Sequence, residues 1–407
     1  MSDFDQGQSE RGFGDVTLAT PVSAEPPAGS AYEVPQPDQE WILPNGFAHV
    51  FLGEGSEDVT QPVILADGFD LGKSNLKWLY SGLDRDFSFL TELRGQGRDV
   101  ILVGYEERSA SVLDNAEAVI GAVVQANALR SGGAALTVGG FSMGGLVARY
   151  ALAKMEQQGL EHRAALYFSY DTPHRGAVVP IALQAFAHFI PWSNNPLSRQ
   201  MNSPAARQML WRHYDPKTRK IDVAPERTRF LRDLARVGNW PARPRKIAVA
   251  NGRGDGTGLQ IAPGMRALKI GRVYPDTAFY TQAQGEDITV AELKRWFPPS
   301  QRTITTSDFP ELDGAPGGTL HSYGIIADAL EKVGATIDLR HGSVCFVPSV
   351  SAVAIRDIDQ HKDLYTNIYE LEPEESEVDA FRCSSETTTH TAITRELGNW
   401  LLKQLPC

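Results

Sequence analysis

Six short apolar segments recur along the chain, and each is typical of a β-strand. They are Pro62–Asp67, Asp99–Tyr105, Ala134–Gly140, Ala164–Tyr170, Lys246–Gly252 and Ser343–Pro348. Several are apolar throughout and do not alternate between apolar and polar side chains. Because a strand covered on both faces carries apolar side chains on both, this pattern predicts strands buried inside a layered domain.

Longer segments with helical periodicity follow the first three of these strands. They are Asn75–Leu93, Leu113–Leu129 and Gly144–Gln158. Strands that alternate with helices are connected by right-handed crossovers and form a mainly parallel sheet with helices on both faces. The predicted fold class is therefore α/β, a doubly wound sheet whose functional side chains gather at the carboxyl ends of the strands.

An N-terminal segment and two long interruptions depart from this alternation. Residues 1–40 are rich in Pro, Gly, Ser, Asp and Glu, which predicts a disordered or surface-wrapping arm. Residues 41–407 then form one large domain with insertions at about 177–244 and about 256–342. The first insertion opens with an apolar run, and we expect it to form a cap or lid.

Three aromatic side chains of this cap, Phe186, Phe189 and Trp192, are candidates for binding a hydrophobic part of a substrate. The alternative is that they pack the cap onto the body of the domain. A cap needs a core of its own whatever it covers, so the sequence leaves both interpretations open.

The overall composition limits the classes of function. Of the 407 residues, 42% are hydrophobic, which suffices for a substantial core. The formal net charge of −11 disfavours binding to nucleic acid or to an anionic membrane. No basic segment followed by an apolar run opens the chain, and no apolar stretch is long enough to span a membrane. We therefore expect a cytoplasmic protein without a transmembrane span.

Three cysteines, Cys345, Cys383 and Cys407, are too few for a disulfide scaffold, and none belongs to a C-x-x-C pair. Pairing of Cys345 with Cys383 is left open. The sequence has no H-E-x-x-H motif and no His/Cys cluster at ligand spacing. We therefore expect a function without a metal or a cofactor.

The stretch Gly139–Gly145 places a serine between two pairs of glycines, where a predicted strand meets a predicted helix. A sharp turn there strains the backbone, and glycine lets neighbouring elements approach it. Ser142 would present its hydroxyl near the free N–H groups of the first helical turn. Gly140, Ser142 and Gly144 fit the pattern G-x-S-x-G, which is short enough that its surroundings must decide its meaning.

A serine nucleophile needs a base, usually histidine, and a carboxylate that fixes the tautomer of that base. Asp255, in the glycine-rich loop after the fifth strand, is the favoured acid, and Asp171, after the fourth strand, is the alternative. The chain order serine, acid, histidine favours His390, in a polar loop before the last amphipathic helix, as the base. His321 is the second candidate.

Two backbone N–H groups must also point to the place where the oxyanion forms. Phe69 lies in the loop that follows the first predicted strand, and Met143 follows the serine. Their N–H groups are the predicted oxyanion pair. The alternative for the first loop is an ordinary Asp-Gly turn at the end of a strand.

These segments resemble the lipase and esterase members of the α/β-hydrolase superfamily. Residues 139–152 are similar to the nucleophile elbow and following helix of that family. Residues 171–177 are similar to its Thr-Pro-His-x-Gly segment, and residues 254–258 to its acid-bearing loop. The resemblance spans about residues 60–260, with the His390 region added.

The resemblance implies an α/β-hydrolase fold with a cap. Together with Ser142, Asp255 and His390, it implies a serine hydrolase that cleaves a carboxylic ester or thioester through an acyl-serine intermediate. The substrate is expected to be a small molecule with a hydrophobic acyl or alcohol part. Two alternatives stay open: an acyltransferase or cyclase that uses the same site, and a non-catalytic protein with this fold.

Overall fold

The computed structural model describes residues 17–18, 33–190 and 195–406. Within these ranges the strands are β1 (Gln39–Leu43), β2 (Gly46–Phe51), β3 (Pro62–Ala66), β4 (Asp99–Tyr105), β5 (Leu136–Phe141), β6 (Ala164–Tyr170), β7 (His213–Tyr214), β8 (Ile221–Asp222), β9 (Arg245–Ala250), β10 (Arg266–Ile270), β11 (Thr277–Tyr280), β12 (Ile288–Arg295), β13 (Ser300–Thr306), β14 (Gly317–Leu320), β15 (Ile337–Leu339), β16 (Val344–Pro348) and β17 (Ala380–Cys383). The α-helices are α1 (Leu76–Asp84), α2 (Phe89–Gly95), α3 (Val112–Leu129), α4 (Met143–Gln157), α5 (Ile181–Phe189), α6 (Pro196–Asn202), α7 (Pro204–Met209), α8 (Pro225–Arg236), α9 (Ser322–Lys332), α10 (Ser349–Ala352), α11 (His361–Leu364) and α12 (Arg395–Gln404).

The largest sheet in the described chain has eight strands in the order β1-β2-β4-β3-β5-β6-β9-β17. Neighbouring strands from β4 to β17 run parallel, whereas β2 is antiparallel to both β1 and β4. The strand order is not sequential around β3 and β4. At this point in the sheet the helical crossovers leave on opposite faces. This arrangement confirms the predicted doubly wound α/β fold.

Alternate side chains of β4 enter two separate hydrophobic layers. Ile101 and Val103 belong to the layer that contains residues of α3 and α4, and Val100 and Leu102 to the layer that contains residues of α1, α2 and α12. Every residue of β4 is buried. Helices therefore cover both faces of this strand, as predicted, and this explains why its sequence is apolar throughout.

The segment predicted as a single helix over residues 75–93 forms two helices, α1 and α2. Asp84 ends α1, and one oxygen of its carboxylate accepts hydrogen bonds from the N–H groups of Leu90 (2.6 Å) and Thr91 (3.1 Å). The other oxygen accepts from the Thr91 hydroxyl at 2.6 Å. Because one carboxylate satisfies donors in the first turn of α2, the bend between the two helices is stabilised.

The edges of the main sheet differ from the prediction. β1 and β2, which were not predicted, form a hairpin through Asn45, whose φ is 56°. The last strand at the opposite edge is β17, also not predicted. The predicted strand Ser343–Pro348 forms as β16, but it pairs antiparallel with β14 outside the main sheet. Apolar composition indicates a buried strand and carries no information about which sheet the strand joins.

The two insertions pack against each other through aromatic side chains. The first contains α5 to α8 and the β7–β8 pair. The second contains the antiparallel sheet β13-β12-β11-β10-β15 and also β14, which pairs with β16 directly after the insertion. The ring centroid of Phe186, on α5, lies 5.3 Å from those of Tyr274 and Phe279 in the second insertion. Phe186 and Phe189 are fully buried, so both fill the core, as the packing alternative proposed, and neither offers surface to a ligand. Trp192 lies outside the described residues.

Most of the predicted arm over residues 1–40 also lies outside the described residues. Leu18 is buried, and its N–H donates to the side-chain oxygen of Gln200 at 2.7 Å. The side-chain nitrogen of Gln200 donates in turn to the Leu18 carbonyl at 3.3 Å. This short part of the arm is therefore anchored on the first insertion, and β1 begins inside the predicted bounds of the arm.

Three further features concern the described ranges alone. None of their helices is both long enough and apolar enough to cross a membrane. Cys345 and Cys383 are buried free thiols, not bonded to each other, and Cys407 lies outside these ranges. Three or more His, Cys, Asp or Glu side chains nowhere come together there in a group that could hold a metal ion.

Candidate active site

Ser142 occupies a strained turn between β5 and α4. Its φ of 55° and ψ of −122° lie in a region of backbone conformation where residues other than glycine are rarely found. The turn is held by the Ser142 N–H, which donates to the Tyr170 carbonyl at 2.9 Å, and by the Gly145 N–H, which donates to the Ser142 carbonyl at 3.2 Å. The strand and the helix thus fix the serine at the carboxyl edge of the sheet.

The glycines beside the serine are required by close backbone contacts. A Cβ atom on Gly140 would lie 2.4 Å from the carbonyl carbon of Gly144. A Cβ atom on Gly144 would lie 2.2 Å from the carbonyl oxygen of Ala66. Real Cβ atoms do not come so near to backbone, so the turn can lie against β5 and the end of β3 only because these positions are glycine.

Gly144→Ala is expected to lower the free energy of unfolding by about 1–3 kcal/mol, because the added methyl group must displace backbone of β3. Urea denaturation measures this change. Gly133→Ala is the matched control, since a Cβ atom there meets nothing within 4 Å, and we expect its effect to stay within about 1 kcal/mol. Equal stability of the two variants would contradict the close packing described for the turn.

His390 lies between the serine and a carboxylate. Its Nε2 atom is 2.8 Å from the Ser142 hydroxyl oxygen, and its Nδ1 atom is 2.6 Å from Oδ2 of Asp171. An ionised carboxylate only accepts hydrogen bonds, so Nδ1 carries the proton and donates it to Asp171. Nε2 is then free to accept the hydrogen bond of the Ser142 hydroxyl. The structure thus brings Ser142 and His390 together, as the sequence analysis expected.

The carboxylate that contacts His390 is Asp171, not the favoured Asp255. Asp171 directly follows β6, is fully buried and has a φ of 47°. Its N–H donates to the Val249 carbonyl at 2.7 Å, and its Oδ1 accepts from the Asn251 N–H at 3.0 Å. Neighbouring β9 therefore holds both the backbone and the carboxylate of Asp171 in the orientation that reaches His390.

Asp255, the favoured acid, does not reach His390. Its carboxylate forms an ion pair with Arg253, two residues earlier, and accepts from the Thr257 N–H at 2.9 Å. About a third of its side chain is exposed, and Arg253 holds the pKa of this carboxyl below its ordinary value. The prediction that Asp255 contacts the histidine is wrong, because the loop after β9 satisfies this carboxylate locally while β6 delivers Asp171.

Hydrogen bonds from β6 and β9 fix the loop that carries His390. The Tyr170 hydroxyl donates to the Ala392 carbonyl at 2.9 Å, and burial raises the pKa of this phenol far above 10, so it stays a donor. The side-chain nitrogen of Asn251 donates to the same carbonyl at 2.8 Å and to the Thr388 hydroxyl at 2.7 Å. The imidazole is therefore fixed from both sides of its loop.

The second candidate base lies elsewhere. His321 precedes α9, is exposed, and its Nδ1 atom is 2.9 Å from the Ser343 hydroxyl. Another histidine, His174, lies in the loop after β6. Its Nε2 atom is 2.9 Å from the Ser169 hydroxyl, and its ring packs on Trp240. Burial and nearby arginines hold the pKa of His174 well below its ordinary value, so this ring stays neutral and joins β6 to the surrounding loops.

The loop after β3 is anchored beside the serine turn. The carboxylate of Asp67 accepts from the Gly68 N–H and from the Ser74 hydroxyl, both at 2.7 Å. The N–H groups of Phe69 and Met143 donate to no acceptor among the described residues. Met143 is the first residue of α4, where a helix leaves its N–H groups without internal partners. Neither predicted oxyanion donor is therefore used in a hydrogen bond within the described residues.

β14, in the second insertion, and β16, directly after it, cover Asp171 and His390, which sequence reasoning did not foresee. A Cβ atom on Gly318, in β14, would lie 2.0 Å from Oδ2 of Asp171. The neighbouring Thr319 carbonyl accepts from the His390 N–H at 2.8 Å, and the ring of Phe346, in β16, lies 4.7 Å from the imidazole centroid. The one sequence signal was the Gly317-Gly318 pair, which is also typical of a turn.

Comparison with known proteins finds likeness only among solved structures. No family model matches the chain. No curated protein matches it. It is similar to a lipase from Bacillus licheniformis, with 14% identity, 50% of this chain and 72% of that chain covered, and a TM-score of 0.33. It is similar to a carboxyl esterase from Tuber melanosporum, with 18% identity, 55% and 68% covered, and a TM-score of 0.33, and to an esterase from Pyrobaculum calidifontis, with 14% identity, 53% and 66% covered, and a TM-score of 0.34.

The chain's own topology settles the fold. The parallel sheet carries an antiparallel β2, a strained serine follows β5, and a histidine lies before the last helix. Ser142, Asp171 and His390 follow one another along the chain in the order Ser, Asp, His that is typical of α/β-hydrolases. This chain has the fold of the α/β-hydrolase superfamily, as its sequence resemblance implied.

Proposed function

We propose that this protein is a serine hydrolase that cleaves a carboxylic ester or thioester through an acyl-serine intermediate. The observation that carries the proposal is the row Ser142, His390 and Asp171, joined at 2.8 and 2.6 Å. All three side chains are buried, and Ser142 keeps 3% of its surface exposed. A dry site strengthens each of these electrostatic contacts.

The reaction begins when His390 Nε2 takes the hydroxyl proton of Ser142 as Oγ attacks the carbonyl carbon. Asp171 stabilises the imidazolium that forms and keeps the proton on Nδ1. The tetrahedral oxyanion accepts hydrogen bonds from the N–H groups of Phe69 and Met143. His390 then protonates the leaving alcohol or thiol, and a water activated by the same imidazole hydrolyses the acyl-serine.

A hydrophobic substrate part fits the side chains around the row. Phe346 packs against the imidazole, and the two proposed oxyanion donors belong to Phe69 and Met143, which are apolar. Burial of an acyl or alcohol chain among such side chains contributes about 25 cal/mol per Å² of apolar surface removed from water. We therefore propose that binding depends on an apolar chain and that the ester group is placed by the N–H groups.

A fluorophosphonate probe tests the proposal, because phosphonylation requires a serine activated as Ser142 is proposed to be. We expect one labelled site, and peptide mass spectrometry should place it on Ser142. A panel of p-nitrophenyl esters and acyl thioesters should then show turnover that rises with acyl chain length. The absence of labelling on folded protein would sink the proposal and favour a non-catalytic protein.

The same panel separates hydrolysis from acyl transfer. Product analysis with and without an added alcohol shows whether the acyl group goes to water or to the acceptor. We expect free acid as the main product under both conditions. Transfer to the alcohol in preference to water would replace the hydrolase by an acyltransferase with the same three residues.

A further inference from the structure

The backbone of β14 contacts both the acid and the base of the candidate site. A Cβ atom on Gly318 would lie 2.0 Å from Oδ2 of Asp171, so only a hydrogen atom fits on this side of Cα. The carbonyl of the next residue, Thr319, accepts a hydrogen bond from the His390 N–H at 2.8 Å. Two consecutive residues of the second insertion thus contact the carboxylate and the backbone of the histidine.

The contact with Gly318 lies at the oxygen that faces the imidazole. Oδ2 of Asp171 is 2.6 Å from Nδ1 of His390, and Oδ1 accepts from the Asn251 N–H at 3.0 Å. Asp171 is fully buried, and its one ion-pair partner among the described residues is His390. Gly318 therefore helps to keep water from Oδ2, and a dry carboxylate interacts more strongly with the imidazole.

β14 is itself held between its neighbours. It pairs antiparallel with β16 across Gly317 and Gly318. A Cβ atom on Gly252, in the loop after β9, would lie 2.2 Å from Cα of Gly317, so these two backbones are in direct contact. A methyl group added at Gly318 would therefore displace the Asp171 side chain more easily than the strand, because a side chain rotates about single bonds.

We propose that Gly318 is a positioning residue, which acts through Asp171, and that β14 keeps the acid and the base of the proposed serine hydrolase in line. This inference rests on the proposed function, since it gives β14 a part in the same reaction. A side chain at position 318 would move Oδ2 away from Nδ1 of His390, and the imidazole would lose the carboxylate that fixes its tautomer. The second insertion thus determines turnover through its backbone.

Gly318→Ala tests the proposal through hydrolysis of a p-nitrophenyl ester. We expect kcat to fall by about 10²-fold or more, because a displacement of about 1 Å can have this effect. The fall should not exceed the roughly 10⁴-fold expected when the carboxylate is lost altogether. KM should stay within about threefold of the wild type, since the N–H donors and apolar side chains proposed to bind the ester are unchanged.

Gly271→Ala is the matched control in the same insertion. A Cβ atom on Gly271, directly after β10, would lie 2.0 Å from the Thr336 hydroxyl oxygen, which is the same overlap with a side-chain oxygen as at Gly318. We expect this variant to lose stability in urea denaturation and to keep kcat within about threefold of the wild type. Equal losses of kcat in the two variants would overturn the role of Gly318.

The proton on Nδ1 of His390 gives a readout that does not depend on turnover. It lies in a short, charge-assisted hydrogen bond to Asp171, and such a proton resonates far downfield of the amide protons in a ¹H NMR spectrum. We expect this resonance in the wild type and in Gly271→Ala, and its loss or an upfield shift in Gly318→Ala. An unchanged resonance in folded Gly318→Ala would overturn the proposal.

A double variant covers the case in which Gly318→Ala does not fold. Asp171→Ala in the same chain removes the overlapping oxygen, so the double variant should fold, and a double variant that stays unfolded would overturn the contact as the cause.

Failure of this inference can be told from failure of the proposed function. Fluorophosphonate labelling of the wild type with full turnover in Gly318→Ala would overturn this inference alone. Absence of labelling, with a resonance that responds to Gly318→Ala, would overturn the proposed hydrolase and leave Gly318 as the residue that positions Asp171.

Discussion

Ser142→Ala should abolish nearly all ester hydrolysis, with a fall in kcat on the order of 10⁶-fold, the loss typical when a catalytic serine is removed. The reason is that no other group beside the His390 imidazole can form the acyl intermediate. Alanine adopts the backbone conformation of the turn at the same cost as serine, so the fold should survive. Steady-state hydrolysis of a p-nitrophenyl ester measures the loss, and urea denaturation measures the stability.

An exposed serine provides the control for this substitution. Ser131 lies on the surface after α3, and Ser131→Ala should keep both full turnover and fluorophosphonate labelling. Ser142→Ala should lose both together. If the Ser142 variant kept most of its turnover, the acyl-serine mechanism would be wrong. If it lost turnover but was unfolded, Ser142→Cys would supply a second test, since a thiol keeps the position and can still be acylated.

Local features made the serine and the inner sheet predictable. The apolar segments that form β4 and β6 have the predicted bounds, because strands buried on both faces differ in composition from every neighbouring segment. The turn at Ser142 depends on glycines within three residues of it, and a Cβ atom at each of them would clash with a neighbouring strand, helix or loop. Features determined by neighbours along the chain can be predicted from the sequence.

The acid depended on contacts that are distant along the chain. Asp171 and Asp255 both follow strands of the sheet, so position alone does not separate them. The difference lies in the N–H group of Asn251, 80 residues after Asp171, which orients that carboxylate, and in Arg253, which ties Asp255 to its own loop. A rule of chain order favoured Asp255, but the register between β6 and β9 decides which carboxylate reaches the imidazole.

The covering of the site was equally hidden from sequence reasoning. Phe186 and Phe189 of the first insertion were left open between substrate binding and packing of the cap, and both are buried in the core. The segments that contact the site are β14, in the second insertion, and β16, directly after it, through Gly318 and Phe346. The apolar composition of β16 predicted a strand, but its antiparallel pairing with β14 beside the site follows from three-dimensional packing.

Asp171→Asn should lower kcat by roughly 10⁴-fold while the site keeps its shape. The oxygen of the new amide can still accept from the Asn251 N–H, so the loop after β6 should stay in place. The amide nitrogen would face Nδ1 of His390 and donate to it, which forces the ring proton onto Nε2. That tautomer cannot accept the proton of Ser142, and the nucleophile loses its base.

Asp255→Asn is the matched control, because it makes the same chemical change at the other candidate acid. Its ion pair with Arg253 is partly exposed, and such pairs contribute at most about 1 kcal/mol. We expect kcat within about threefold of the wild type, since the His390 contact is untouched and a cost of that size to folding leaves the folded fraction nearly unchanged. Hydrolysis of one p-nitrophenyl ester, measured with both variants at the same pH, gives the comparison.

A large loss in Asp255→Asn together with near-normal turnover in Asp171→Asn would return the role to Asp255. Such a result would require the loop after β9 to release Arg253 and move towards the imidazole when substrate binds.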